Sequence, residues 1–148
     1  NAFRGAGRRF EFLGEVNGVT IADDYAHHPT ELEATLRAAK EMDYKRVWAV
    51  FQPFTYTRTQ MLLDDFARVL QIADKVVMTE IMGSRERAED YAVRTKDLAA
   101  KIPGSVWYDT FDEVVDHVMK NARPGDLVIT LGCGDIYKAS KMMVEKDQ

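Results

Sequence analysis

Apolar residues follow two different patterns along the chain. Phe10 and Phe12 alternate with polar residues, and the alternation resumes at Val19, directly after Asn17-Gly18. A period of two is typical of a strand with one exposed face, and Asn-Gly favours the type I′ turn of a two-residue hairpin. The pattern therefore predicts an N-terminal hairpin that adds an antiparallel strand to the edge of a sheet.

Beyond the hairpin, the apolar residues form short uninterrupted runs. Such runs are typical of strands whose two faces are both covered. They occupy residues 47–51, 76–78, 106–108 and 127–131.

Amphipathic segments lie between these runs, and three of them begin with a capping-box pattern. The patterns are Thr30 with Glu33, Thr57 with Gln60, and Thr110 with Glu113. Repeated alternation of strand and helix predicts an α/β fold. We expect a Rossmann-like, mostly parallel sheet with helices on both faces, forming one domain over residues 1–148.

Composition narrows the possible functions. The chain has 148 residues with 20 Lys+Arg and 24 Asp+Glu, a net charge of −4, and 46% hydrophobic residues. These values are typical of a folded domain and give no basic surface for nucleic acid. No apolar run reaches the ~18 residues of a membrane span. Cys133 is the single cysteine, so no intrachain disulfide forms. We expect a cytoplasmic protein and, because the chain begins with Asn, a fragment of a longer one.

Candidate chemistry follows the predicted strands. Ligands of open α/β sheets bind beyond the carboxyl ends of the strands. The segments that follow the strands carry two acids, two histidines, an arginine and a glycine turn, and we predict that they meet at one edge. These segments are residues 23–29, 52–58, 79–80 and 132–135.

Several of these residues allow more than one interpretation. His27 and His28 could bind zinc with Asp23, but adjacent side chains diverge and no further ligands have metal-site spacing, so we predict no metal. Arg58 at a helix start opposes the helix dipole, which favours a role in binding a carboxylate or phosphate. The turn at residues 132–134 could cradle a phosphate or simply join a strand to a helix.

Other residues are predicted to be structural. Cys133 is interpreted as a small buried residue and His117 as a surface residue, while residues 85–90 are expected to form one exposed loop. No G-x-x-x-x-G-K-[ST] motif occurs in the chain. The chain by itself therefore cannot hold a triphosphate as a P-loop does.

Two long motifs resemble a known family. Residues 23–31, D-D-Y-A-H-H-P-T-E, are similar to the C-terminal domain signature of the Mur ligases, in particular those that add L-alanine. The resemblance extends to residues 8–11, to 51–59 except Phe54, to 84–86, and to the G-C-G-D-I-Y string at 132–137. It covers essentially the whole chain.

This resemblance implies a reaction and its partners. Ligases of the family have a UDP-sugar-binding domain, a central ATPase domain with the P-loop, and a Rossmann-like C-terminal domain. ATP phosphorylates the carboxylate of UDP-N-acetylmuramate, and the amine of L-alanine attacks the acyl phosphate. Mg²⁺ ligands are expected mainly in the central domain, which would also be a partner of this one.

The resemblance also implies roles for individual residues. Asp24 would contact the nucleotide, with Asp23 and Tyr25 beside it. His27 and His28 would face the reacting groups, and Arg58 would bind the carboxylate of the amino acid. Thr55, Gly132, Cys133, Gly134 and Asp135 would line the amino-acid pocket. Phe54, where the family often has His, and Cys133, where it usually has Ala, leave the finer amino-acid preference open.

Three alternatives remain at this stage. The first is the murein tripeptide recycling ligase of the same family, which lacks the 55–59 string in this form. The second is a receiver-like signalling module, which would need an Asp after the central strand, where Thr79 stands. The third is a nicotinamide-binding domain, whose glycine motif would follow the first strand rather than the last.

Overall fold

Six strands form one mixed sheet in the computed structural model, which describes residues 10–145. Their order is β1-β2-β6-β3-β4-β5, and every neighbouring pair is parallel except β1 and β2. The predicted α/β fold is therefore confirmed. The strands are β1 Glu11–Val16, β2 Val19–Asp24, β3 Val47–Phe51, β4 Lys75–Thr79, β5 Val106–Tyr108 and β6 Leu127–Leu131. The Arg8-Arg9 part of the family resemblance lies outside the described residues.

Helices connect the parallel strands. They are α1 Pro29–Glu41, α2 Tyr56–Met61, α3 Leu63–Leu70, α4 Thr95–Ala99, α5 Phe111–Asn121 and α6 Tyr137–Glu145. Within the described part of the chain, no helix is long and apolar enough to cross a membrane.

The hairpin turn forms as the sequence predicts. Asn17 and Gly18 have positive φ angles of 51° and 82°, as a type I′ turn requires. Gly18 is also confined sterically, because a Cβ atom there would lie 2.8 Å from Cβ of Pro124. β1 therefore pairs antiparallel with β2 at the edge of the sheet.

The sheet separates two apolar cores. One contains residues of α1, α3 and α4, including Leu36, Phe66 and Leu98, and the other contains residues of α5 and α6, including Val115 and Ala139. Strand residues contribute to both, which explains why β3 and β6 are buried along their whole length.

This arrangement creates a crevice at the end of β6. The chain leaves β2 and β3 toward the α1 face of the sheet, whereas it leaves β6 toward the α6 face. β6 lies between β2 and β3. Loops that diverge from neighbouring strands open a crevice at their carboxyl ends, where ligands bind in such folds.

Two predicted helix caps are wrong. The cap of α1 is His28 rather than Thr30, and its capping box closes on Glu31. The cap of α2 is Thr55 rather than Thr57: the hydroxyl of Thr55 accepts the N–H of Arg58, while the hydroxyl of Thr57 donates to Glu86. The Thr110 cap of α5 is confirmed.

Two structural interpretations also need correction. His117 is half-buried instead of lying at the surface, with Nδ1 2.9 Å from the hydroxyl of Tyr108 and its ring against Trp48. Residues 85–90 do not form one exposed loop, because Ala88–Asp90 is a 3₁₀ turn and Glu86 is bound to the start of α2.

Candidate functional site

The loop after β2 is held by a buried carboxylate. Asp24 is 1% exposed; its Oδ1 accepts a hydrogen bond from the backbone N–H of Ala26 at 2.8 Å, and its Oδ2 accepts one from the hydroxyl of Thr35 at 3.0 Å. Both oxygens point into the protein, so Asp24 fixes the backbone between β2 and α1. A contact between Asp24 and a nucleotide stays a prediction.

The side chain of Asp23 is half-buried and lies on the face of the sheet opposite to that of Asp24. Its Oδ1 lies 2.6 Å from the hydroxyl of Thr130 on β6. Burial raises the pKa of Asp23 above its ordinary value, and the neighbouring carboxylates Asp24 and Glu11 raise it further, while the Thr130 hydrogen bond opposes them. The two adjacent acids therefore have different environments, as alternation along a strand requires.

His27 lies at the centre of the loop. Its Nδ1 is 3.1 Å from the carbonyl oxygen of Tyr25 and 3.4 Å from Oε1 of Glu31. The ring packs edge-on against Tyr25 and Phe54, with centroids 5.8 and 6.5 Å away. This brings the segments after β2 and β3 together, as the sequence predicts.

His28 has a structural contact as well as an exposed ring. Its Nδ1 accepts the backbone N–H of Thr30 at 3.2 Å, while Oε1 of Glu31 accepts the backbone N–H of His28 at 3.2 Å. These bonds satisfy amide groups that the first turn of a helix leaves free. With Nδ1 occupied, Nε2 is the ring nitrogen left to meet a ligand.

The segment after β3 positions Arg58 through a strained residue. Thr55 has φ 66°, a conformation that a β-branched residue adopts at a cost of about 1–3 kcal/mol. Its hydroxyl accepts the backbone N–H of Arg58 at 3.3 Å. Glu86 holds the same helix start by accepting the N–H groups of Tyr56 and Thr57. A contact of Thr55 with substrate stays a prediction.

Arg58 is half-buried and lies beside the glycine turn. Burial raises the pKa of the Cys133 thiol, and the positive charge of Arg58 opposes this shift. Within residues 10–145, Arg58 makes no ion pair with a carboxylate. A half-buried guanidinium with no internal anion is suited to bind one from outside.

The glycine turn after β6 is packed against the segment after β3. Gly132 has φ +146°, and a Cβ atom there would lie 3.0 Å from the carbonyl oxygen of Gln52. A Cβ on Gly134 would lie 2.8 Å from Oε1 of Gln52. Close packing therefore explains both glycines, and the turn brings Cys133 and Asp135 to the crevice.

The sequence does not predict a further acidic cavity beside this turn. It has a volume of about 300 Å³ and is lined by Gln52, Glu80, Asp109 and Asp135 among others. Gln52 and Glu80 follow strands in the sequence, but Asp109 follows the short β5 and has no motif around it. Between residues 10 and 145, no group of three His, Cys, Asp or Glu side chains is arranged to hold a metal ion.

The edge of the sheet can therefore bind two kinds of group. Arg58, with His27 and His28 near the start of α1, suits an anion, and the acidic cavity suits a cation. Asp23, Asp24, Tyr25 and the glycine turn shape the space around them. The predicted site residues do share one edge of the sheet, although several of them also hold the local fold.

Comparison with known proteins gives one family. Residues 8–134 match the profile described as "Mur ligase, glutamate ligase domain". The chain is 43% identical to the UDP-N-acetylmuramate–L-alanine ligase of Acetivibrio thermocellus and 45% identical to that of Lachnospira eligens. These matches cover 99% and 97% of the chain, and 32% of each relative. The chain thus spans about a third of their length.

Solved structures show the same fold. A UDP-N-acetylmuramate-alanine ligase from Thermotoga maritima superposes with a TM-score of 0.75 at 25% identity, covering 94% of this chain and 29% of that one. A murein peptide ligase from Psychrobacter arcticus gives a TM-score of 0.73 at 25% identity, with the same coverage.

Proposed function

The chain belongs to the Mur ligase family, as a glutamate ligase domain, and we propose that it is the C-terminal domain of an ATP-dependent ligase that joins L-alanine to UDP-N-acetylmuramate. The relatives that are 43–45% identical are named for this reaction. The domain would close over a central ATPase domain, in the cytoplasm of a bacterium.

One observation carries this proposal within the chain itself. Arg58 presents a half-buried guanidinium beside Cys133, with no carboxylate paired to it among the described residues. An amino acid substrate brings a carboxylate, which an arginine can bind through two parallel hydrogen bonds. Arg58 would therefore bind the carboxylate of the amino acid, and the glycine turn would line the pocket beside it.

The reaction needs an acyl phosphate that is protected from water. ATP would phosphorylate the muramoyl carboxylate, and the amine of L-alanine would displace phosphate and form the amide. The imidazoles of His27 and His28 would meet the reacting groups, and closure of the domain would exclude water from the acyl phosphate.

ATP and Mg²⁺ would bind mainly outside this chain. The chain has no P-loop motif, and its described residues contain no cluster suited to a metal ion. The donor groups present here therefore do not fit Mg²⁺. Asp23, Asp24 and Tyr25 would contribute at most the edge of the nucleotide site, with Tyr25 exposed enough to contact it.

Recycling of murein tripeptide is the second candidate. It is favoured by the superposition on the murein peptide ligase, which is as close in fold as that on the alanine ligase. The 43–45% identity to relatives named as alanine ligases and the 55–59 string favour L-alanine.

Phosphate release by the longer protein that contains this chain tests the proposal. With ATP, Mg²⁺ and UDP-N-acetylmuramate, we expect release only after L-alanine is added. Omission of the sugar nucleotide is the control and should abolish release. Release with the tripeptide but not with L-alanine would assign the protein to recycling, and release with neither would overturn the proposed function.

A further inference from the structure

The acidic cavity beside the glycine turn is the feature of the molecule that the proposed roles do not use. It lies at the carboxyl ends of β3, β4 and β5, between the loops that lead into α5 and α6. Its polar lining consists mainly of oxygen acceptors, from Gln52, Glu80, Asp109 and Asp135.

Gln52 has a buried acceptor without a donor. The residue is 6% exposed, and its Oε1 has no hydrogen-bond partner among residues 10–145. Gly134 packs closely against that oxygen, because a Cβ atom there would lie 2.8 Å from it. Buried amide oxygens are almost always hydrogen-bonded, so this one indicates a missing donor.

A second buried acceptor belongs to the same cavity. Oδ1 of Asp135 also lacks a partner within the described residues, while its Oδ2 is 3.8 Å from Lys138. Two unpaired oxygens in one cavity need a ligand that donates several hydrogen bonds. One of them is a carboxylate oxygen, so that ligand should also carry positive charge.

The remaining acids in the cavity also favour a cation. Glu80 and Asp109 line the same cavity, so two carboxyl groups lie close to each other there. Burial raises the pKa of Glu80, and the neighbouring Asp109 raises it further. A bound cation would offset the repulsion between these two carboxyl groups.

We propose that this cavity binds a primary ammonium group, and that the group is the ammonium of the amino acid substrate. The identity of the ligand rests on the proposed function. A zwitterionic amino acid needs a cation for its carboxylate and acceptors for its ammonium within a short distance. The glycine turn has Cys133, whose pKa Arg58 lowers, on one side and the acidic cavity beside Gly134 on the other. A primary ammonium group has three N–H donors, so it can donate a hydrogen bond to each of the unpaired oxygens.

Binding of small cations to the 148-residue chain tests this. Backbone amide NMR shifts would be followed while methylammonium, tetramethylammonium, Mg²⁺, L-alanine or L-lactate is added. We expect methylammonium and L-alanine to shift residues 80–83, 109–111 and 134–135. Tetramethylammonium has no donor and L-lactate has no ammonium, so neither should shift them.

Two variants separate binding from folding. Gln52→Met removes the unpaired oxygen at similar volume, so we expect about tenfold weaker methylammonium binding and no loss of thermal stability. Glu80→Gln should weaken binding to a similar degree, since a charged partner is lost. Gln71→Met, whose side chain contacts Ala67 on α3, is the matched control and should leave binding unchanged.

Several results would overturn the inference. They are equal shifts with tetramethylammonium, Mg²⁺ binding in place of methylammonium, no shifts with L-alanine at these residues, or a stability loss in Gln52→Met without a change in binding. If the longer protein still releases phosphate with L-alanine under any of these results, the proposed function stands and only the ammonium site fails.

Discussion

If the proposed function is correct, Arg58→Ala in the longer protein that contains this chain should raise KM for L-alanine by about 100-fold while KM for ATP changes little. The expected loss corresponds to about 1.5–3 kcal/mol for a hydrogen-bonded charge pair, and each 1.4 kcal/mol is tenfold. Arg58 has no carboxylate partner in residues 10–145, so its removal leaves no internal charge unpaired. Initial rates at varied L-alanine and varied ATP measure both constants.

Arg68→Ala is the matched control for this variant. Arg68 lies on α3 with its side chain 60% exposed, 3.6 Å from Glu33 and 3.5 Å from Asp65. Exposed pairs contribute little, so neither KM should change. An increase in KM for ATP alone in Arg58→Ala would show that the arginine binds the nucleotide rather than the amino acid.

Asp126→Ala should destabilise the chain by about 3 kcal/mol, because it leaves the buried indole N–H of Trp48 and the backbone N–H of Arg123 without their acceptor. Asp126 is 1% exposed at the edge of the sheet opposite the site. Its Oδ2 accepts Nη2 of Arg46 at 2.8 Å, Nε1 of Trp48 at 2.9 Å and the N–H of Arg123 at 2.9 Å. Thermal unfolding should show a Tm lower by about 10 °C. Asp112→Ala, at an exposed acid in the first turn of α5, is the control and should lower Tm much less.

This stabilisation should depend on pH in one direction. Burial alone would raise the pKa of Asp126, but hydrogen bonds from Arg46, the N–H of Arg123 and Trp48 outweigh it and hold the pKa below its ordinary value. A group whose pKa is lowered in the folded state stabilises the fold fully above its unfolded pKa, about 3.9 for Asp. That stabilisation is lost as the pH falls through the folded pKa. The stability gap between wild type and Asp126→Ala should therefore be constant above about pH 5 and shrink below about pH 4. A gap that grew in acid would contradict this account.

The strands could be predicted because each has a local signal. The Asn17-Gly18 turn fixes the register of the hairpin, and the uninterrupted apolar run at 127–131 becomes β6 at the centre of the parallel sheet. The order of strands then places the candidate residues at one edge, since carboxyl ends of parallel strands lie together. An uninterrupted apolar run in the sequence therefore predicts a strand that is covered on both faces of the sheet.

Caps and pairings that depend on distant residues could not be predicted. His28 takes the cap of α1 although Thr30 fits the pattern, and Thr55 takes that of α2 because Glu86, far along the chain, binds Thr57. His117 is half-buried by Tyr108 on β5 and Trp48 on β3, two strands separated by β4. Such contacts form only when the sheet is assembled.

The acidic cavity illustrates the same limit within the candidate site. Glu80 and Asp109 follow different strands, and no spacing between them indicates that they line the same cavity. The orphan oxygen of Gln52 depends on the close approach of Gly134. The site residues that sequence reasoning finds are those within long motifs, and the ones it misses are brought in singly by the fold.

We propose that this chain completes the site of a larger ligase without containing the ATP-hydrolysing centre. The measurement that tests it most directly is phosphate release from ATP by the purified 148-residue chain, with Mg²⁺, UDP-N-acetylmuramate and L-alanine present. The account predicts no release by the chain alone, and L-alanine-dependent release by the longer protein that is lost when these residues are deleted. Turnover of ATP by the chain alone would contradict it.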